Sequence, residues 1–194
     1  HSHNADEFKM ECEKRGVQWI PFPETSELIS WYRKVRSIDS DIREHCPTLF
    51  GLSNQLQHVT EFSNHAINST VSFLASNVEK VVSYRPFIDA EVEKLIKASN
   101  SKLEVKNFSD EIDETDLLLL DNEHTYKNLT LELEQHADKV KKYILIHDTE
   151  TFGEVGEDGR EGLKKAIDDF LRNRPEWRLH SHVGNNNGLT ILVR

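Results

Sequence analysis

The sequence is poor in the features that constrain a fold from outside. Only two cysteines, Cys12 and Cys46, occur in 194 residues. They form no CxxC pair and no disulfide framework, so the chain is expected to hold together through its apolar core alone. No apolar run approaches the roughly 20 residues needed to cross a bilayer; the longest, Leu117-Leu118-Leu119-Leu120, is the size of a strand. Repeats and low-complexity segments are absent. Positive charge is scarce, with 24 Lys and Arg against 34 Asp and Glu, a net charge of −10. That balance excludes a general nucleic-acid binder, because phosphate contacts need clustered Lys and Arg, and it argues against an anionic membrane surface. Small neutral substrates or a divalent cation remain compatible. The start, His1-Ser2-His3, has no apolar signal region. It reads as the remnant of an expression tag, leaving room for a larger multidomain parent and for a homo-oligomer. A cytoplasmic location is the default expectation.

What is present is an alternation of elements. Residues 1–56 carry no convincing strand and are expected to form a helical cap. Glu7–Arg15 and Glu27–Arg36 read as helices, the second capped by Thr25. Pro21 and Pro23 break the chain between them, and Pro47 opens a short helix to Gln55. From residue 57 the pattern changes. Strands are predicted at Gln57–Phe62, Lys80–Tyr84, Lys102–Val105, Asp116–Asp121 and Tyr143–Asp148. Helices are predicted at Ser69–Asn77, Asp89–Ala98, Tyr126–Val140 and Arg160–Arg172. Two last strands, Trp177–Val183 and Leu189–Val193, are separated only by Gly184–Gly188. That is too short for a parallel crossover, so they form an antiparallel hairpin. Residues 57–194 are thus predicted to be a Rossmann-like α/β/α sandwich, a seven-stranded and mostly parallel sheet ending in an antiparallel hairpin.

In such a sheet, ligands bind beyond the carboxyl ends of the strands. The fourth and fifth predicted strands end in Asp121 and in His147-Asp148. Oxygen-rich clusters suit Mg²⁺, and an imidazole shifts the preference toward transition metals such as Mn²⁺. His124 follows Asp121 closely and has the chemistry of a general base near neutral pH. Against this stands the plain alternative that both aspartates only cap the next helix or turn.

Gln57-His58-Val59-Thr60-Glu61-Phe62, Asp121-x-x-His124-Thr125-Tyr126, Ile146-His147-Asp148-Thr149 and Asn185-Asn186-Asn187-Gly188-Leu189 together resemble a group of class I S-adenosylmethionine (SAM) methyltransferases. This is the group of cephalosporin hydroxylases and of rhamnosyl and macrocin-type sugar O-methyltransferases. The resemblance covers about Pro47 to Arg194. It implies methyl transfer from SAM to a hydroxyl of a sugar or related small molecule, a glycan included. It also implies a divalent metal held by Asp121, His147 and Asp148, with Asp121 and His124 catalytic. Cofactor contacts are expected from Glu61, Ser63, Asn64, Asn68, Ser69, Tyr84 and Asn107. Two departures stand out. Where the group's first loop reads E-F-G-x-x-x-G-x-S-T, Ser63 and Ile67 replace both glycines, and Ile is strained at positive φ. Arg85 stands where an acid would bind the SAM ribose, and an Arg accepts no hydrogen bond. Besides methyl transfer, two other readings stay open: a catalytically inactive binding or scaffolding module, and a metal-dependent hydrolase or oxygenase.

Overall fold

The computed structural model describes residues 26–64, 67–108 and 111–194. The predicted helix at Glu7–Arg15, the proline breaks and Thr25 lie outside the described residues. The first described helix, α1 (Glu27–Ser37), is capped by Ser26, whose hydroxyl accepts from the Ile29 N–H. A 3₁₀ turn at Arg43–His45 leads into α2 (Cys46–Ser53), with Pro47 in its first turn. Strands and helices then alternate: β1 (His58–Ser63), α3 (Asn68–Leu74), β2 (Lys80–Tyr84), α4 (Ala90–Ala98), β3 (Leu103–Lys106) and β4 (Thr115–Asp121). After these come α5 (Tyr126–His136), β5 (Val140–His147), α6 (Leu163–Asn173), β6 (Arg178–Val183) and β7 (Leu189–Val193).

One boundary moves for a physical reason. The helical pattern runs to Val140 in the sequence, but α5 stops at His136 and a 3₁₀ turn at Ala137–Lys139 hands the chain to β5. Val140 pairs with Thr115 of β4 and is fully buried. Sheet pairing and burial there outweigh local helix propensity, which is a weak preference.

The seven strands lie in the order β3-β2-β1-β4-β5-β7-β6. β1 to β5 pair in parallel, and β7 is antiparallel to both β5 and β6. The predicted α/β sandwich with a terminal antiparallel pair is therefore present. The four leucines of β4 show how the layers form. Leu117 and Leu119 join one core with Tyr32, Leu49, Val71 and Leu95, from α1 to α4. Leu118 and Leu120 join the opposite core with Leu129, Leu133, Ile167 and Phe170, from α5 and α6. Alternation along a strand covered on both faces explains why all four can be apolar.

Strand order reverses around β1 and β4, where Ser63 lies opposite Asp121. This switch point sets the position of the candidate site. The turn between β6 and β7 reaches back toward it. Gly188 has φ +95°, and a Cβ there would lie 2.4 Å from the Glu150 nitrogen. Gly188→Ala is expected to cost about 2–4 kcal/mol, from backbone strain plus the clash. Urea denaturation checks this, and an unchanged midpoint would refute it.

Candidate functional site

The ends of β4 and β5 bring Asp121, His124 and Asp148 together, one ligand-type atom from each lying within 4.8 Å of the others. His124 Nε2 is 3.0 Å from Asp148 Oδ2 and 3.6 Å from Asp121 Oδ1. It is buried and aligned for a hydrogen bond with neither, and Asp148 Oδ1 is also buried without a partner. Asp148 sits at φ +59° just beyond β5, a conformation that Asp tolerates better than most residues. Burial pushes the Asp148 carboxyl up. Burial acts the same way on Asp121, but the adjacent His124 and His147 outweigh it and hold that carboxyl well below the usual range.

His147, expected as a ligand, is held on both sides of its ring. Its Nδ1 faces Asp121 Oδ1 at 2.9 Å, while its Nε2 faces the carbonyls of Asp41 at 3.1 Å and Asn186 at 3.3 Å. Carboxylates and carbonyls only accept, so both ring nitrogens donate and the ring is an imidazolium. Burial works against that charge, but Asp121 foremost, then Asp148 and Asp41, raise the group to about 9. Burial pulls the His124 ring down as well, and Asp121, Asp148 and Glu157 raise it, so charge does not separate the two rings. What does is that His147 Nε2 is taken up by backbone carbonyls, while His124 Nε2 faces only the two aspartates that a cation would share. The imidazole whose Nε2 faces the two aspartates is that of His124.

Two further residues shape the site, Glu157 without any sequence signal and Asn186 within the quoted asparagine run but with no role read from it. Glu157 Oε1 accepts from the His124 backbone N–H at 2.7 Å and also contacts Nδ1 of the same ring. Glu157 N–H donates back to the His124 carbonyl at 3.1 Å, and Phe152 stacks on the ring with centroids 5.1 Å apart. Asn186 joins three segments. Its carbonyl faces His45 and His147, its side-chain oxygen accepts from Glu44 N–H at 2.8 Å, and its amide donates to the Ser40 carbonyl at 2.9 Å. The run of asparagines suggests a turn; it does not reveal this docking role.

The β1–β2 edge is built differently from an open cofactor site. Glu61 is fully buried, and Arg85 beside it is 3% exposed, with Nη2 at 3.6 Å from Glu61 Oε1. Two hydroxyls bridge the pair. Ser83 accepts from Arg85 Nε at 2.8 Å and donates to Glu61 Oε1 at 2.7 Å. Thr70 accepts from Arg85 Nη2 at 2.8 Å and donates to the same oxygen. Ile67, in a glycine position of the resembled loop, has φ −99° and packs in the core. The strain expected of a β-branched residue does not arise, because the backbone takes another path.

The remaining expected cofactor residues are dispersed. Ser63 and Ser69 are buried, and Tyr84 is buried with its hydroxyl on the Glu111 carbonyl. Asn64 donates to the Asn122 carbonyl at 2.8 Å, and Asn68 donates to Ser40 Oγ at 2.9 Å. Asn64, Asn68 and Asn107 line three separate cavities of about 370, 260 and 270 Å³. No helix among the described residues is long and apolar enough to cross a membrane.

No protein-family model matches the sequence, and no curated protein is similar to it at a significant level. Solved structures are similar in fold. An O-methyltransferase from Bacillus cereus, solved with S-adenosylhomocysteine, superposes with a TM-score of 0.59 at 13% identity, covering 98% of this chain and 96% of that one. An N1-methyltransferase acting on 1,6-didemethyltoxoflavin from Burkholderia thailandensis gives 0.62 at 13% identity, covering 87% and 85%. An O-methyltransferase of tomaymycin synthesis from Streptomyces achromogenes, solved with SAM, gives 0.59 at 10% identity, covering 88% and 90%. Strand order, layering and these likenesses agree: the chain has the Rossmann-like fold of the class I methyltransferases.

Proposed function

We propose that the protein is a SAM-dependent O-methyltransferase acting on a hydroxyl of a sugar or related small molecule, assisted by a divalent cation. The observation that carries this reading is the convergence of Asp121, His124 and Asp148, with His124 Nε2 facing both carboxylates and Asp148 Oδ1 buried without a hydrogen-bond partner. Buried polar atoms without partners are uncommon and need a reason. Two carboxylates and one imidazole form a donor set suited to Mn²⁺ or a similar ion. A cation held there would orient and acidify a hydroxyl. In this assignment His124 is a ligand rather than the free base expected from the sequence. His147 leaves the ligand set and braces Asp121 instead.

A second reading is favoured by one specific feature. Arg85 and the two bridging hydroxyls already surround Glu61 Oε1, and the β2 end offers a guanidinium where ribose hydroxyls need an acceptor. These residues do not fit the ribose of SAM. They fit a methyltransferase-like fold that serves as a binding module without methyl transfer.

Calorimetry separates the two. Under the first reading the purified protein binds both Mn²⁺ and S-adenosylhomocysteine, and Asp148→Ala loses the Mn²⁺ heat while keeping its circular dichroism. Absence of any heat or thermal shift at millimolar S-adenosylhomocysteine would defeat the methyltransferase reading. Mn²⁺ binding unchanged in Asp148→Ala would defeat the metal centre.

A further inference from the structure

Glu157 lies on the connection between β5 and α6, a segment that the resemblance assigns no role. We propose that Glu157 is the positioning residue of the centre, holding His124 in the form in which Nε2 faces Asp121 and Asp148. This inference rests on the metal reading above.

The geometry is specific. One carboxylate oxygen of Glu157 meets both the backbone N–H and the ring Nδ1 of His124. The return bond from Glu157 N–H to the His124 carbonyl locks the two backbones together. A carboxylate only accepts, so Nδ1 beside it carries a proton. A cation held by the aspartates would displace any proton on Nε2, the nitrogen 3.0 Å from Asp148 Oδ2, and the lone pair would fall there. Phe152 against the ring face limits its rotation. A carboxylate, a histidine and a metal in line is the usual way in which the distal ring nitrogen of a ligand is fixed and its basicity raised.

The local chain is shaped to deliver this carboxylate. Gly156 N–H donates to the Arg160 carbonyl at 2.9 Å and Gly159 N–H donates to the Gly156 carbonyl at 2.9 Å, so residues 156–160 form a tight turn with Glu157 inside it. A Cβ on Gly156 would lie 3.0 Å from the His124 carbonyl oxygen. The turn therefore sits directly against the residue that Glu157 grips.

The test compares Glu157→Ala and Glu157→Gln with the wild type, using Mn²⁺ alone as the probe and electron paramagnetic resonance to count bound ion. Glu157→Ala is expected to weaken Mn²⁺ binding about 10–100-fold. Glu157→Gln, whose amide oxygen still accepts from Nδ1–H, should recover most of the loss. A merely structural role predicts no such recovery, so that outcome overturns the proposal. Histidine ¹⁵N spectra of the Zn²⁺-loaded wild type should show Nδ1 of His124 protonated; an unprotonated Nδ1 overturns it as well. Wild-type Mn²⁺ affinity in a folded Glu157→Ala variant overturns the proposal and leaves the metal centre standing. Failure of the wild type to take up Mn²⁺ defeats the metal centre and Glu157's role together.

Discussion

Replacing Arg85 by alanine is expected to lower stability by about 3–5 kcal/mol, the usual result of stranding one member of a buried ion pair. Glu61 is completely buried, and its Oε2 already lacks a hydrogen-bond partner. Without the guanidinium, the carboxylate would keep only the hydroxyls of Ser83 and Thr70. Glu61→Gln in the Arg85→Met background removes both charges while roughly preserving volume. Such replacements of a whole buried pair are often neutral, so the double variant should recover most of the loss. A double-mutant cycle in urea measures the coupling. Additive costs from the two sites would show that Arg85 and Glu61 do not act as a unit.

The second large effect is a pH dependence set by Glu132. This residue is 8% exposed and accepts from Asn122 Nδ2 at 2.6 Å. Burial raises its carboxyl from 4.5 to about 7. The folded value lies above the unfolded one, so across that window the native state holds a proton that the unfolded chain has released. Stability from this group is therefore full below about 4.5 and falls as pH rises to about 7, by about 3 kcal/mol in all. Above that it levels off. Glu132→Gln imitates the protonated acid at every pH. The variant is expected to exceed the wild type in stability at pH 8 and to lose that advantage at pH 4. Parallel stability curves for the two proteins would refute the assignment.

The layered sheet was legible in the sequence because its signals are local and repeated. Four consecutive leucines bounded by acids fit a short strand buried on both faces, and Gly184–Gly188 is too short for anything but a hairpin. The place of Asp121 and Asp148 at the carboxyl edge of the sheet was legible for the same reason. Three things were not. The start of β5 depends on pairing between Val140 and Thr115, which are far apart in sequence. The surroundings of His124 and His147 depend on which acceptors meet each ring, and two of these are backbone carbonyls from Asp41 and Asn186. Glu157 is one acid in an acidic loop, and nothing in its spacing ties it to His124. The loss of the glycines predicts strain, yet Ile67 avoids the positive-φ conformation and fills the core instead.

Asn186 also has a consequence for the order in which the chain is assembled. It clasps Ser40, Glu44 and His45, which lie 146, 142 and 141 residues earlier in the chain. During synthesis, residues 40–45 leave the ribosome long before their clasp exists. Closing so long a loop costs entropy that must be met before the contacts form. The clasp on residues 40–45 is therefore a late lock, closed by the β6–β7 turn over helices whose apolar faces pack on α3 and the central strands without it.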